Sequence, residues 1–321
     1  MRLRLDPFTL LLLVVIVIAS LFPAQGALEH SLSTLAGAAV ALLFLIHGAA
    51  LSRQQIRAGA LHWRLHLFIG ALTFLVFPLL VLPIDYLAPR WIPEDLALGF
   101  LYLGVLPSAV SSSIAFTAMA RGNVPAAICS SAASNVFGMM LTPFLLMLLV
   151  STTGDGGFQV IDALRDIIMQ LLLPFALGHG LRTWVGGWLD RHPAFSARYD
   201  QGVILLIVYV AFSQSVVGGL WQQLPVSAIA LALLLCLLIL LLLLALTTWL
   251  ARRLGFNHAD EIAAVFCGSK KSLASGLPMA KVLFASHPGF GMIVLPIMCY
   301  NQIQILVGAA LAQRYRKASR R

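Results

Sequence analysis

An all-α integral membrane protein of ten transmembrane helices is the fold class that the sequence predicts, and three observations carry it. Of the 321 residues, 60% are hydrophobic and only 10% charged, with a mean hydropathy of +0.94. An ordinary soluble domain has about a quarter of its residues charged. Apolar runs of the roughly 20 residues that a bilayer crossing needs recur along the whole chain. The basic residues, finally, are distributed very unequally among the segments between those runs.

The runs cover 8–24, 32–51, 65–84, 97–120, 124–150, 160–181, 201–221, 225–250, 261–285 and 290–313. Ala24-Gln25-Gly26 has the outline of a signal cleavage site, but the run before it is long for a signal peptide and further spans follow at once. It reads as a retained helix. With alternate loops assigned to opposite sides, sixteen Lys and Arg fall on one side: Arg2, Arg4, Arg53, Arg57, Arg64, Arg121, Arg182, Arg191, Arg198, Arg252, Arg253, Arg314, Arg316, Lys317, Arg320 and Arg321. The other side receives only Arg90, while Arg165, Lys270, Lys271 and Lys281 fall within runs. By the positive-inside rule this predicts a multi-pass protein of the inner (plasma) membrane with both termini cytoplasmic. The net charge of +9 is thus an orientation signal and does not call for nucleic acid. The longest loop is expected at 182–200.

Cys129, Cys236, Cys267 and Cys299 all lie within runs, and none forms a CxxC pair. They read as small packing residues, with neither disulfide nor metal implied. His47 and His179 lie near the cytoplasmic ends of spans two and six beside Gly48 and Gly180. Two readings stay open for them, an interfacial residue satisfied by backbone or water and a proton relay.

Lys270 and Lys271 are the most informative residues. They sit about ten residues inside span nine, and no acid lies at matching depth. A lysine near the bilayer centre costs roughly 2.5–3.5 kcal/mol on insertion scales, so such a residue faces a wet cavity, a partner or a substrate. Glu261 is a poor counter-ion, since at 1.5 Å per residue Lys270 is about 13 Å further along the same helix. Asp166 is the deepest other acid, and Arg165 stands beside it. Lys281, a few residues from the end of its span, is expected to snorkel to the interface. The pair can be neutralised by carbonyl dipoles, by loss of a proton, or by an anionic substrate.

A short internal echo links spans four and nine. SSSIAFTAMAR, residues 111–121, parallels KKSLASGLPMAK, residues 270–281. Span four runs towards the cytoplasm and span nine away from it, so the echo predicts an inverted repeat of five plus five helices, 1–150 and 151–321. Secondary transporters built this way place their site where corresponding helices are broken at mid-membrane. Pro107, Ser108 and Ser111 to Ser113 in one segment, and Gly268, Ser269, Gly276 and Pro278 in the other, weaken the helix. Unwinding is expected near 108–113 and 268–272. Around it spans five and ten bring Ser130, Ser131, Ser134 and Asn135, then Asn301, Gln302 and Gln304. The serines serve equally well as close-packing residues.

The stretches PSAVSSSI, ARGNV at 120–124, LTP at 141–143 and PIMCYNQIQ resemble those of the bile acid:sodium symporter family, over essentially the whole chain. The resemblance implies two inverted repeats divided into a panel (helices 1, 2, 6 and 7) and a core (helices 3, 4, 5, 8, 9 and 10), with helices four and nine broken and crossing. Family members that use sodium bind it behind that crossing. Carried over, the helix-four ligands fall on Ser112 and Ser113, and one helix-five ligand on Ser131. The other helix-five ligand becomes Ala127, the helix-three glutamine becomes Thr73, the helix-nine glutamate lands near Phe266 and its glutamine on Lys270. FCGSKKSLASGLP resembles an atypical branch of that family. An ammonium placed where a metal cation would sit satisfies the same oxygens, so Lys270 or Lys271 is expected to act as a built-in cation surrogate.

The leading expectation is a secondary transporter or facilitator of a small organic anion by alternating access. Its site would be drawn from Lys270, Lys271, Ser111, Ser112, Ser113, Ser131, Ser134, Asn135, Ser269, Ser272, Thr73 and Asn301. No organic cofactor and no nucleic acid are expected; a sodium ion remains open, and the lipid bilayer is the standing partner. A sodium-coupled symporter with rearranged ligands and a non-transporting regulatory protein are the alternatives. An intramembrane enzyme would rest on Ser269 and Ser272 beside the lysines, a weak echo of a Ser-Lys dyad.

Overall fold

The computed structural model describes residues 7–50, 62–87, 91–153, 165, 168–219, 224–284 and 287–318. Arg2, Arg4, Arg53, Arg57, Arg90, Asp162, Asp166, Arg320 and Arg321 lie outside them, as does much of the start of span six. Every regular element among the described residues is helical. Among the described residues, six helices are long and apolar enough to cross a membrane, seven if one bent pair counts as a single span. The count falls below ten for visible reasons. The helix of span one has only 15 residues, span six starts outside the described residues, and span nine is interrupted.

In chain order the helices are α1 (Pro7–Leu21), α2 (Gly26–Ala50), α3 (Trp63–Ala71), α4 (Phe77–Leu87), α5 (Glu94–Val105), α6 (Val110–Met119), α7 (Val124–Thr153), α8 (Leu173–Arg191), α9 (Pro193–Val217), α10 (Val226–Arg253), α11 (His258–Ser269), α12 (Leu273–Leu283) and α13 (Phe290–Ala318). Short π-helical segments, Leu72–Val76 and Ile168–Leu172, lead into α4 and α8. The stretch 182–200, expected as a loop, is helical on both sides of His192. Its aromatic residues drive this: the Trp188 ring stacks on His192 at 4.6 Å and meets Phe195 edge-on at 5.2 Å.

The chain divides into two compact units. The first comprises Met1–Leu51, Gly157–Pro225 and Leu277–Val294, and so holds α1, α2, α8 and α9. Glycine sets the α2–α8 approach. A Cβ on Gly178 would lie 1.9 Å from the Leu45 carbonyl oxygen, and one on Gly48 would lie 2.0 Å from that of Phe175. Small residues let membrane helices reach such contact, where dispersion replaces the hydrophobic drive that lipid cannot supply. Polar side chains pin the unit. His47 meets Asp200 at 3.2 Å, the Arg182 guanidinium donates to the Ala49 carbonyl at 2.8 Å, and the Tyr199 hydroxyl donates to that of Ala39 at 2.9 Å. Lys281 does not snorkel: it is 5% exposed and its Nζ donates to Ser33 Oγ at 2.9 Å. A hydroxyl within reach removes the reason to extend towards water.

The second unit comprises Ser52–Gly156, Val226–Gly276 and Leu295–Arg321, and carries α3 to α7, α10, α11 and most of α13. Asn257 caps α11, its Oδ1 accepting from the Asp260 amide at 2.9 Å, as expected for an N-cap. Glu261 is spoken for by Arg252 (2.9 Å) and by the Tyr315 hydroxyl (3.1 Å). Phe116, Ile262, Val265, Phe266 and Tyr315 form a buried apolar cluster between α6, α11 and α13.

The glycine contacts predict opposite outcomes for one chemical change made two residues apart. Gly178→Ala has backbone in its way and should cost about 1–3 kcal/mol as α2 and α8 are forced apart. Gly180→Ala meets nothing within 4 Å and should gain up to about 1 kcal/mol from helix propensity. Thermal unfolding of the two purified variants in one detergent checks both; a matching loss in Gly180→Ala would refute the close-approach reading.

Candidate functional site

Within the second unit the site is built from two helix breaks. α5 ends at Val105, and α6 restarts at Val110 with a 59° bend. Pro107 lacks an N–H, and the residue before a proline avoids helical geometry; Leu106 accordingly has ψ 151. The break is therefore 106–109, not 108–113, and Ser111 to Ser113 form the first turn of α6. The second break is confined to Lys270, Lys271 and Ser272. Lys270 is extended at ψ 141, and Ser272 begins α12 by accepting from the Ser275 amide at 3.1 Å. Gly268 and Ser269, expected to unwind, remain in α11.

The two breaks bond to each other. The Ser272 amide donates to the Pro107 carbonyl at 2.9 Å, and the Ala109 amide donates to the Lys270 carbonyl at 3.4 Å. Helix ends leave carbonyls without intrahelical partners, and in a buried setting each must find a donor. Nearly all do. At the end of α5, Val105 O receives Thr142 Oγ1 and Ser108 O receives Asn135 Nδ2 (2.7 and 2.8 Å). At the end of α11, Phe266 O receives Ser113 Oγ, Cys267 O receives Ser108 Oγ and Ser269 O receives the Tyr300 hydroxyl (3.0, 2.6 and 2.7 Å). Gln304 holds Lys271 from both sides, accepting from its amide and donating to its carbonyl at 2.9 Å each.

Lys271 takes three further carbonyls. Its Nζ donates to Leu106 O at 2.7 Å, Gly104 O at 2.8 Å and Thr73 O at 3.0 Å, using all three of its protons. Thr73 O is free for a reason written in the sequence. In the π-helical turn the Phe77 amide bonds to Leu72 O, one residue back from its α-helical partner, and the next residue, Pro78, has no N–H. Gly104 brings α5 against α4, since a Cβ there would lie 2.4 Å from the Val81 side chain. The C-terminal dipole of α5 adds partial negative charge at this point. The Phe77 ring, 4.1 Å from Nζ, closes the cage.

Lys270 is the opposite case. It is 1% exposed, and its Nζ has no hydrogen-bond partner among the described residues. It lies 3.8 Å from the centre of the Phe116 ring. A Cβ on Gly308 would approach it to 3.1 Å. Neither lysine joins an ion pair among the described residues, where the pairs are His47–Asp200, Arg182–Asp190 and Arg252–Glu261.

The remaining candidates divide. Ser134 and Asn135 join the break, the former accepting from the Ser108 amide at 2.9 Å. Ser272 caps α12, Asn301 accepts from Gln304 Nε2 at 3.0 Å, and Ser131 Oγ faces Cys267 Sγ at 3.5 Å. Ser269 Oγ turns back to Val265 O, so neither Ser269 nor Ser272 hydrogen-bonds a lysine as a dyad would. Ser111 is exposed and Ser112 half-buried on α6. Thr73 contributes its main-chain oxygen, while its hydroxyl bonds to Ile69 O at 2.8 Å. Sequence reasoning missed Gly104, Thr142, Tyr300 and Phe116. Pro78, in the first turn of α4, was the available signal for the Thr73 carbonyl.

The profile of the SBF-like CPA transporter family matches residues 6–317. A protein of Escherichia coli K12 named "Putative symporter YfeH" is 47% identical over 313 residues, covering 98% of this chain and 93% of its own. An uncharacterised protein of Pseudomonas aeruginosa is 49% identical over 310 residues, covering 97% and 92%. Sodium/bile acid cotransporter 7 of Rattus norvegicus is 30% identical over 316 residues, covering 97% and 92%. These likenesses set the intramembrane-enzyme reading aside. Apolar helices that cross a membrane several times and a profile match over almost the entire chain make this a multi-pass membrane protein belonging to the SBF-like CPA transporter family.

Proposed function

We propose that the protein is a secondary transporter or facilitator of a small organic anion, working by alternating access without a mobile sodium ion. The carrying observation is the division of labour between two adjacent lysines: three carbonyl oxygens on Lys271 Nζ and none on Lys270 Nζ. Lys271 is the tethered cation. Three oxygens converging from two chain segments are what a bound monovalent cation would require, and here an ammonium has them. Ser113 Oγ is spent on Phe266 O, which supports the same reading. Lys270 is the reserve positive charge, which meets the substrate anion when the break opens to water.

The architecture of this proposal is ten transmembrane helices in two inverted five-helix repeats, 1–150 and 151–321. The first compact unit, with α1, α2, α8 and α9, supports a panel of helices 1, 2, 6 and 7; the second supports a core of helices 3, 4, 5 and 8 with part of helices 9 and 10, whose stretch Leu277–Val294 groups with the first unit. The bacterial relatives and the basic-residue asymmetry support an inner-membrane protein with cytoplasmic termini. A second reading, sodium-coupled symport of a bile acid or other organic anion, draws on the name of the rat relative and on Ser112, Ser113 and Ser131 as remnant ligands.

Two experiments separate these readings. Lys271→Ala leaves three buried carbonyls without donors and should cost about 3 kcal/mol or more; sodium or methylammonium should restore part of the lost Tm, while sodium leaves the wild-type Tm within about 1 °C of its value in potassium. Sodium stabilisation of wild type with none in Lys271→Ala would favour the symporter. In liposomes, wild type should show saturable uptake of at least one member of a carboxylate series from benzoate to taurocholate. Lys270→Met, which removes an amine that satisfies nothing, should keep or raise the Tm yet lose about tenfold or more of that uptake. Undiminished uptake would remove Lys270 from the mechanism.

A further inference from the structure

A groove of about 750 Å³ runs between α10 and α13 in the second unit. Its walls along the membrane-spanning length are apolar, chiefly Leu241, Leu244, Val307 and Leu311. Its far end holds three guanidiniums, Arg252, Arg253 and Arg314. Both helices reach that end with their C-termini, each carrying two basic residues in its last turn. The groove is thus a greasy trough with a cationic mouth at the level where both helices leave the membrane.

We infer that this groove binds an anionic diacyl phospholipid, with its acyl chains in the trough and its phosphate at Arg253 and Arg314. Charge sets the headgroup. Arg252 is already committed to the Glu261 carboxylate at 2.9 Å, whereas Arg253 and Arg314 are exposed with no ion pair among the described residues. Basic pockets between membrane helices suit such headgroups. Position sets the tail. The Trp249 ring, 55% exposed, has the Arg253 guanidinium 5.7 Å from its centre. An amphipathic indole beside a cation belongs at the headgroup boundary, which puts the leucines one to two turns deeper among acyl chains. Leu244 and Leu311 form the floor and pack on the buried cluster that contains Val265 and Phe266. A lipid in the groove therefore braces α11, the helix that ends at Lys270.

The test is thermal unfolding in an uncharged detergent with dioleoyl phosphatidylglycerol, dioleoyl phosphatidylcholine or glycerol 3-phosphate added. Wild type should gain about 3 °C with phosphatidylglycerol and nothing resolvable with the other two. An Arg253→Gln, Arg314→Gln protein loses the cationic mouth, and Ala310→Trp fills the trough without altering charge. Each should lose most of the gain while its lipid-free Tm stays within about 1 °C of wild type. An equal rise with phosphatidylcholine, a rise with glycerol 3-phosphate alone, or an undiminished gain in both variants would each overturn the assignment. A negative result in the liposome uptake experiment leaves it standing.

Discussion

The three hydrogen bonds from Lys271 Nζ to the carbonyls of Thr73, Gly104 and Leu106 are the constraint on which the core of the second unit depends. Breaking two helices inside an apolar medium exposes main-chain groups that water cannot reach, each worth several kcal/mol if left alone. Side-chain hydroxyls and amides absorb many of them. An ammonium is more economical, because one atom answers three acceptors from two different segments, and its charge strengthens every bond it makes. The same geometry keeps the charge itself tolerable. Oxygens that would be orphaned without the lysine are the oxygens that solvate it.

Much of this was legible in the chain. Composition and the recurrence of apolar runs gave the class of protein. Lys270 and Lys271 stood out because nothing acidic lay at their depth. Pro107 and the serines after it marked one break, and the break occurs at the proline. What escaped was the division of roles between neighbours. Nothing in the letters of Lys-Lys says that one side chain finds a complete cage and the other an aromatic face. That outcome depends on the ψ of 141 at Lys270, which sends successive side chains to opposite sides of an extended segment. It also depends on main-chain oxygens, which every residue has and no sequence displays. Thr73 illustrates the point: it meets Lys271 through its main-chain oxygen, while its hydroxyl bonds its own helix at Ile69.

Two other departures share a physical origin. Lys281 was expected to reach for the interface, yet it stays buried because Ser33 offers an acceptor nearby. The stretch 182–200 was expected to be a loop because it lies between two apolar runs, yet it is helical because Trp188, Phe195 and Tyr199 give it an aromatic seam. In both cases contact with a specific neighbour decided the outcome.

Pro78 is not among the groups that hold Lys271, yet its effect on that lysine is direct. A helix of ordinary residues would offer an amide at that position, and the amide would compete for Thr73 O. The proline keeps that oxygen vacant by having nothing to offer. Its contribution is a silence in the donor pattern of one helix, which a cation on another can fill. A scan for functional residues that looks only for groups able to bond would pass over it.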